Sequence, residues 1–273
     1  MTDSFSMQRF GRLLVTDLIS NAKKYSMWLG LIVGVIVALA VIAIIGNSSI
    51  ITSKTYHIED YYSLIERDPV ANFMQDIFYF SLFITVTVAA SQTMQNLSTK
   101  TSRINALMLP ATQLEKFLSR WIIFIPLFLA AFLLSFQVIE WARVMFEMMI
   151  FGSDANIHSL NVMWLLFPED DAERDLIILS IVFLQSIFVL GSTIWPSNTL
   201  VKTVCALFVA GVGLTLFGSL CGNILLDSRY NYTLDISDET AWTISRSLVS
   251  VFTLINYIIA YFRYKEIEII QRW

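Results

Sequence analysis

Six stretches of this sequence are apolar for close to twenty residues each, and they decide what the chain can become. The hydrocarbon core of a bilayer is about 30 Å thick and takes about 20 apolar residues to cross as a helix. Backbone N–H and C=O groups find no water there, so such stretches must satisfy themselves as helices. They are 28–45, 77–90 with its flanks, 121–138, 176–194, 201–220 and 244–262. The second is the weakest, because Asp76 interrupts its start and Ser91 and Gln92 its end. Composition agrees with the pattern: only 15% of residues are charged, against about a quarter in a soluble domain. The expected fold class is an all-α integral membrane protein, 1–273 forming a single transmembrane domain with six transmembrane helices. Turn chemistry supports the count: "WPSNT" separates the fourth and fifth runs, and Pro196 cannot donate to a continuing helix, so these two form a helical hairpin.

Orientation follows from the basic residues, which favour the cytoplasmic side. Of the 18 Lys and Arg, one side holds Arg9, Arg12, Lys23, Lys24, Lys100, Arg103, Lys116, Arg120, Lys202, Arg263, Lys265 and Arg272. The other holds Lys54, Arg67, Arg143, Arg174, Arg229 and Arg246. Both termini are therefore expected in the cytoplasm, with 263–273 as a tail. A secretory signal is not expected, since about 25 mostly amphipathic residues precede an apolar run long enough to span. Within 1–27, Phe10, Leu14 and Leu18 recur at helical spacing among Arg9, Arg12, Asp17, Asn21 and Lys23, the pattern of an amphipathic helix lying in the interface and binding membrane lipid.

Between the second and third runs, "LMLPATQLEKFLSRW" reads as an explicit helix start. Pro110 ends what precedes it, Thr112 can act as N-cap, and Glu115 three residues on can reach back to close a capping box. Lys116 and Arg120 are expected to snorkel at the cytoplasmic end. The segment 96–109 just before it is expected to be a short helix whose contact edge is Ile104, Leu107 and Met108. In the longest outer loop, 139–174, "EWARVMFEMMIF" reads as an interfacial helix with Trp141, Val144, Met145, Met148 and Met149 toward lipid. "EDDAERD" places acids at a helix N-terminus, where the macrodipole favours them over a metal-site reading. Tyr56, Tyr61 and Tyr62, with Glu59 and Asp60, are expected at headgroup level.

Several chemistries lack their signatures. There is no G-x-x-x-x-G-K-[ST] loop, and His57 and His158 belong to no H-E-x-x-H pattern. No metal site, catalytic residue, bound cofactor or nucleic-acid partner is expected, and the chain is not expected to be an enzyme. Cys205 and Cys221 lie in one apolar run roughly 24 Å apart along a helix, beyond disulfide reach. No Asp, Glu, Lys or Arg stands near the middle of a run, which argues against a proton path of the usual ionisable kind. Polar residues inside the runs (Thr85, Thr87, Ser135, Gln137, Gln185, Ser186, Thr215, Thr253 and Asn256) are expected to bond between helices, with Gln185 and Asn256 the first candidates to line a translocation path. Gly211, Gly213 and Gly218 are expected to let the fifth helix approach a neighbour closely, within the chain or in a dimer.

A basic N-terminal helix, six spans, cytoplasmic termini and a structured loop between spans two and three resemble the ABC-2-type transporter permease layout. "LMLPATQLEKFLSRW", "LGSTIWPSNTLVKT" and "YFRYKEIEIIQRW" are similar to segments of small six-span permease-like membrane proteins of the Bacteroidetes type. The large extracytoplasmic domain that some family members carry between the first two spans is absent from the pattern. The resemblance implies two permease protomers, as a homo- or heterodimer, in a bacterial inner membrane, paired with separate ATP-binding cassette ATPase subunits that hold ATP and Mg. It also implies that 1–27 is an elbow helix and that about 96–115, including Thr112, Leu114, Glu115 and Lys116, is a coupling segment docking on the ATPase. The alternative is a non-transporting membrane protein of the same fold, such as an immunity, sensor or assembly factor.

Overall fold

The computed structural model describes residues 5–46, 68–152, 157–225 and 237–266. Tyr56, Tyr61, Tyr62, Glu59, Asp60 and the tail beyond 266 lie outside them. Among the described residues every regular element is helical, and six helices are long and apolar enough to cross a membrane.

The elements are α1 (Met7–Gly46), α2 (Pro69–Gln92), a 3₁₀ turn (Gln95–Leu97), α3 (Lys100–Met108), α4 (Gln113–Ile122), a π-helical turn (Ile123–Leu127), α5 (Phe128–Phe151), α6 (Val162–Leu166), α7 (Asp171–Ile194), α8 (Thr199–Leu225) and α9 (Asp238–Lys265). Helix α2 begins eight residues before the apolar run that announces it, because Asp68 caps it and Pro69 occupies its first turn, where a missing N–H costs nothing. Helix α9 likewise starts early, with the Ser237 hydroxyl accepting from Thr240 N.

Two expectations are corrected by the helix boundaries. The interfacial helix at 1–27 and the first span are one uninterrupted helix of 40 residues, roughly 60 Å at 1.5 Å per residue. No proline lies between Met7 and Gly46, so nothing removes a backbone donor and forces a turn between the amphipathic and apolar halves. The "EWARVMFEMMIF" segment is likewise not a separate loop helix but the continuation of the third span. The π-helical turn, with Pro126 inside it, carries α4 into α5 without ending the helix, so that Gln113–Phe151 runs for 39 residues.

The described chain falls into two compact units. The first comprises, among the described residues, 5–46, 68–89, 118–152 and 157–178. Here α1 packs along α5, burying Ile36, Ala40, Ala43 and Ile44 at helical spacing. Phe78 of α2 meets Phe132 and Phe136 of α5 with ring centroids 6.3 and 5.0 Å apart, the second pair edge-on.

The other unit comprises, among the described residues, 90–117, 179–225 and 237–266. The α7–α8 hairpin turns at "WPSNT": Thr199 Oγ1 donates to Trp195 O at 2.6 Å, and Asn198 takes a left-handed φ of 56°. Close helix approach occurs at Gly191, where a Cβ would run into Thr203 of α8. It does not occur at Gly211, Gly213 or Gly218, around which nothing lies within 4 Å of an added Cβ. No residue in the apolar window of α8 is buried, so among the described residues nothing packs on the expected glycine face. Phe117 packs edge-on against Tyr261, centroids 5.6 Å apart, and beside Tyr264.

Candidate functional site

Two polar constellations stand out, and the first is the capped loop between α2 and α4. Thr99 caps α3 by accepting from Ser102 N at 3.2 Å, while Ser102 Oγ accepts from Thr99 N at 3.3 Å. Arg103 is buried and donates through Nε and Nη2 to Leu97 O at 3.3 and 3.0 Å, pinning α3 to the 3₁₀ turn before it. The capping box at "TQLE" has both its bonds: Thr112 N donates to Glu115 Oε2 at 2.9 Å, and Glu115 N donates to Thr112 Oγ1 at 3.2 Å. Glu115 is fully buried and Lys116 is 5% exposed, so Lys116 does not snorkel as expected. The cause is the facing of α4: Glu115, Lys116, Phe117 and Ser119 are buried together, while Leu114 is exposed. Of the expected contact edge, Ile104 is half-buried and Met108 is 79% exposed, while the Leu107 side chain is not among those described. Met108, Leu109 and Leu114 thus stand out from a loop whose own polar groups are tied down.

The second constellation lies in the unit containing α5 and was not singled out from the sequence. Gln137, Glu140, Arg143 and Glu147 recur at helical spacing along one side of α5. Glu140, Arg143 and Glu147 are all buried, whereas Trp141, Met145 and Met149 on the other side are exposed, Met149 to 84%. Of the residues expected toward lipid, Trp141, Met145, Met148 and Met149 are exposed and Val144 is half-buried. The helix is therefore apolar outward and charged inward, the arrangement required when charge must be kept from lipid.

Those inward groups bind an irregular stretch of backbone, 158–161, and Val162 at the start of α6. Arg143 donates from Nε and Nη2 to the two oxygens of Glu140, at 3.0 and 2.5 Å, and from Nη1 to Glu147 Oε2 at 2.8 Å. Its Nη2 also donates to His158 O at 2.6 Å. Leu160 N donates to Glu140 Oε1 at 3.0 Å, Val162 N donates to Gln137 Oε1 at 3.0 Å, and Gln137 Nε2 donates to Leu160 O at 3.4 Å. His158 N donates to Asp68 Oδ2 at 3.0 Å, and Asp68 Oδ1 accepts from Val70 N and Ala71 N as the cap of α2. Side chains three apart on a helix thus reach backbone groups two apart on an antiparallel extended strip. Non-helical backbone needs such partners wherever water is excluded. Leu160, Val162, Leu165 and Leu166 are buried under the strip, and Tyr79 of α2 donates to Leu165 O at 3.1 Å.

A smaller node joins α1 to the start of the third span. Arg120 Nη1 donates to Asp17 Oδ2 and to the Tyr25 hydroxyl, each at 3.1 Å, and its guanidinium lies 5.7 Å from the Phe124 ring centroid. Arg120 is thereby paired rather than snorkelling.

The two translocation candidates sit in the other unit. Gln185 is buried, and Asn256 Nδ2 donates to Ser186 Oγ at 3.0 Å, an α9-to-α7 bond. Ser186 thus bonds between helices as expected, while also donating to Phe183 O. Thr87, Ser135 and Thr253 instead donate to carbonyls four residues back, and Thr215 to a carbonyl three back, so their own helices satisfy them. At "EDDAERD", Asp170 caps α7 by accepting from Ala172 N, and the Asp171–Arg174 pair is exposed. Among the described residues no group of three or more His, Cys, Asp or Glu has the geometry to hold a metal ion.

Two signals in the sequence would have exposed the α5 site. One is the polar stripe Gln137–Glu140–Arg143–Glu147, visible once the helix is carried past Val138. The other is "DP" at Asp68–Pro69, an N-cap followed by proline. Neither reveals that the two meet at His158. No family model, no curated protein and no solved structure matches the chain. The helices define the class: a multi-pass integral membrane protein with six spans.

Proposed function

We propose that this protein is the membrane-spanning permease subunit of an ATP-binding cassette transporter, moving an amphiphilic substrate when coupled to a separate ATPase. The observation that carries this reading is the capped loop between the second and third spans. Its backbone is fixed by two consecutive capping boxes, yet its tip leaves Met108, Leu109 and Leu114 exposed. A rigid mount with a small apolar tip suits docking on a soluble protein, because little conformational entropy is lost on binding.

In this reading Met108, Leu109 and Leu114 touch the ATPase, Ile104 lines their edge, and Thr112 and Glu115 hold the angle at which the third span leaves. Buried Lys116 supports the loop from within. The loop and both termini face the cytoplasm of a bacterium, and the amphipathic half of α1 lies on the same side. ATP and Mg belong to the partner, and this chain catalyses nothing itself. A second protomer completes the substrate path, to which Gln185 is the better candidate contributor, since Asn256 is engaged by Ser186.

Purification of the tagged full-length protein from its native membrane in mild detergent tests the reading. An ATP-binding cassette ATPase should co-purify, and M108D/L109D should lower its recovery at least tenfold while leaving the thermal unfolding of the membrane protein unchanged. Recovery with no ATPase at all would favour the non-transporting alternative.

A further inference from the structure

Glu140 and Glu147 share one guanidinium, Arg143, Asp68 lies near enough for its charge to act on that guanidinium, and none of the four is more than 3% exposed. With all four ionised, the cluster holds two negative charges in excess inside the protein, where an uncompensated charge is costly. The hydrogen bonds show where the excess falls. Asp68 accepts from three backbone N–H groups, and it caps α2, whose dipole favours an anion. Glu140 accepts three bonds, two from Arg143 and one from Leu160 N. Glu147 accepts one, on Oε2 from Arg143, and its buried Oε1 has no partner.

A buried carboxylate oxygen without a donor is the least favourable place for a negative charge in this cluster, and a proton on it removes the charge. We propose that Glu147 is a proton-binding site, occupied in the folded protein, and that its occupancy governs the docking of the 158–161 strip and the α6 helix that follows it. The proton is taken from water onto Oε1 and returned to water on release. With it bound, Arg143 faces Asp68 and Glu140 as anions and Glu147 as a neutral acid, and its Nη2 is left for Glu140 and His158 O. With it lost, two full carboxylates on α5 compete for the guanidinium, and the bond to His158 O weakens.

Among the described residues, the charged groups acting on Glu147 are Asp68 at the start of α2 and Glu140 and Arg143 on α5, with His158 on the docked strip bonded to Arg143 through its carbonyl. His158 is the only titratable side chain on the docked strip, and its buried Nδ1 also lacks a partner. The site lies near the C-terminal end of the long helix Gln113–Phe151, Glu147 being one turn from its last residue. It is independent of the loop that carries the transporter reading.

The sign follows from linkage. A carboxyl that takes up a proton on folding makes the folded state less stable as pH rises through the value at which that proton is lost. Infrared spectra of the full-length protein in nanodiscs, recorded from acid to alkaline pH, test this directly. At neutral pH the wild type should show the carbonyl band of a buried protonated carboxylic acid, lost on alkalinisation and missing from E147Q. The alkaline loss of thermal stability should be abolished in E147Q, which mimics the neutral side chain, and retained in H158Q. Absence of the band from the wild type at neutral pH would overturn the proposal, and that reading needs no variant. So would a band unchanged in E147Q, an E147Q protein less stable than wild type at every pH, or a pH dependence lost in H158Q alone.

Discussion

The capped loop before α4 and the charged side of α5 both bury carboxylates, and they do so by opposite means. Glu115 is answered from three residues away, by Thr112, within one turn. Glu140 is answered by Arg143 three residues on, but also by Leu160 twenty residues on; Asp68 is bonded by His158, ninety residues away. The first arrangement fixes a local angle. The second fixes a tertiary contact, because a stretch of backbone without secondary structure of its own depends on it. A buried acid that closes its own helix start is an element of local structure, and one that holds a distant strand of chain is an element of the fold.

Substitutions sharpen that contrast. Arg143→Ala leaves Glu140 and Glu147 buried without their cation and should cost about 3–5 kcal/mol, read as a lower midpoint in denaturant unfolding of the reconstituted protein. A loss under 1 kcal/mol would show that the strip docks without the guanidinium. Gln137→Leu removes two bonds to the strip but no charge, for an expected loss of about 1–2 kcal/mol. Faster hydrogen exchange at Leu160 and Val162, with α2 unaffected, would place that loss in the strip. Thr112→Val breaks only the local cap and should cost about 1 kcal/mol. Its effect should stay in α4, so slower exchange or protection changes at 158–162 would contradict the local reading. The exposed Asp171–Arg174 pair sets the floor: Asp171→Asn should change stability by less than about 0.5 kcal/mol, and less again in high salt.

The same contrast explains what could be read from sequence. The six spans and the Thr112–Glu115 box depend on run length and on spacing within a turn, and both are present in the structure. Helix ends were harder, because caps such as Asp68 and Ser237 lie outside the apolar runs and extend each helix into polar sequence. The third span was cut short at Val138 because Glu140, Arg143 and Glu147 look like the edge of a membrane when only their polarity is counted. Their common face shows instead that they turn inward. The strip at 158–162 has no periodicity at all, since its partners are side chains on other elements, and no local pattern encodes such a contact. The Arg120–Asp17–Tyr25 node was hidden for the same reason, each member being plausible as an interfacial residue when taken alone.

One consequence concerns the order in which the chain is made. Arg143 reaches Glu140 and Glu147 within its own helix, so these pairs form as soon as that helix does, before 158–166 has been synthesised. The third span can therefore enter the membrane with its cation already matched, carrying its neutralising partners with it. The bonds to His158 and Leu160 come later and add a tertiary role to groups that were first needed for insertion. Moving both glutamates to other helices would keep the finished contact on paper but leave the nascent span with an unmatched cation at the moment it must choose between water and lipid.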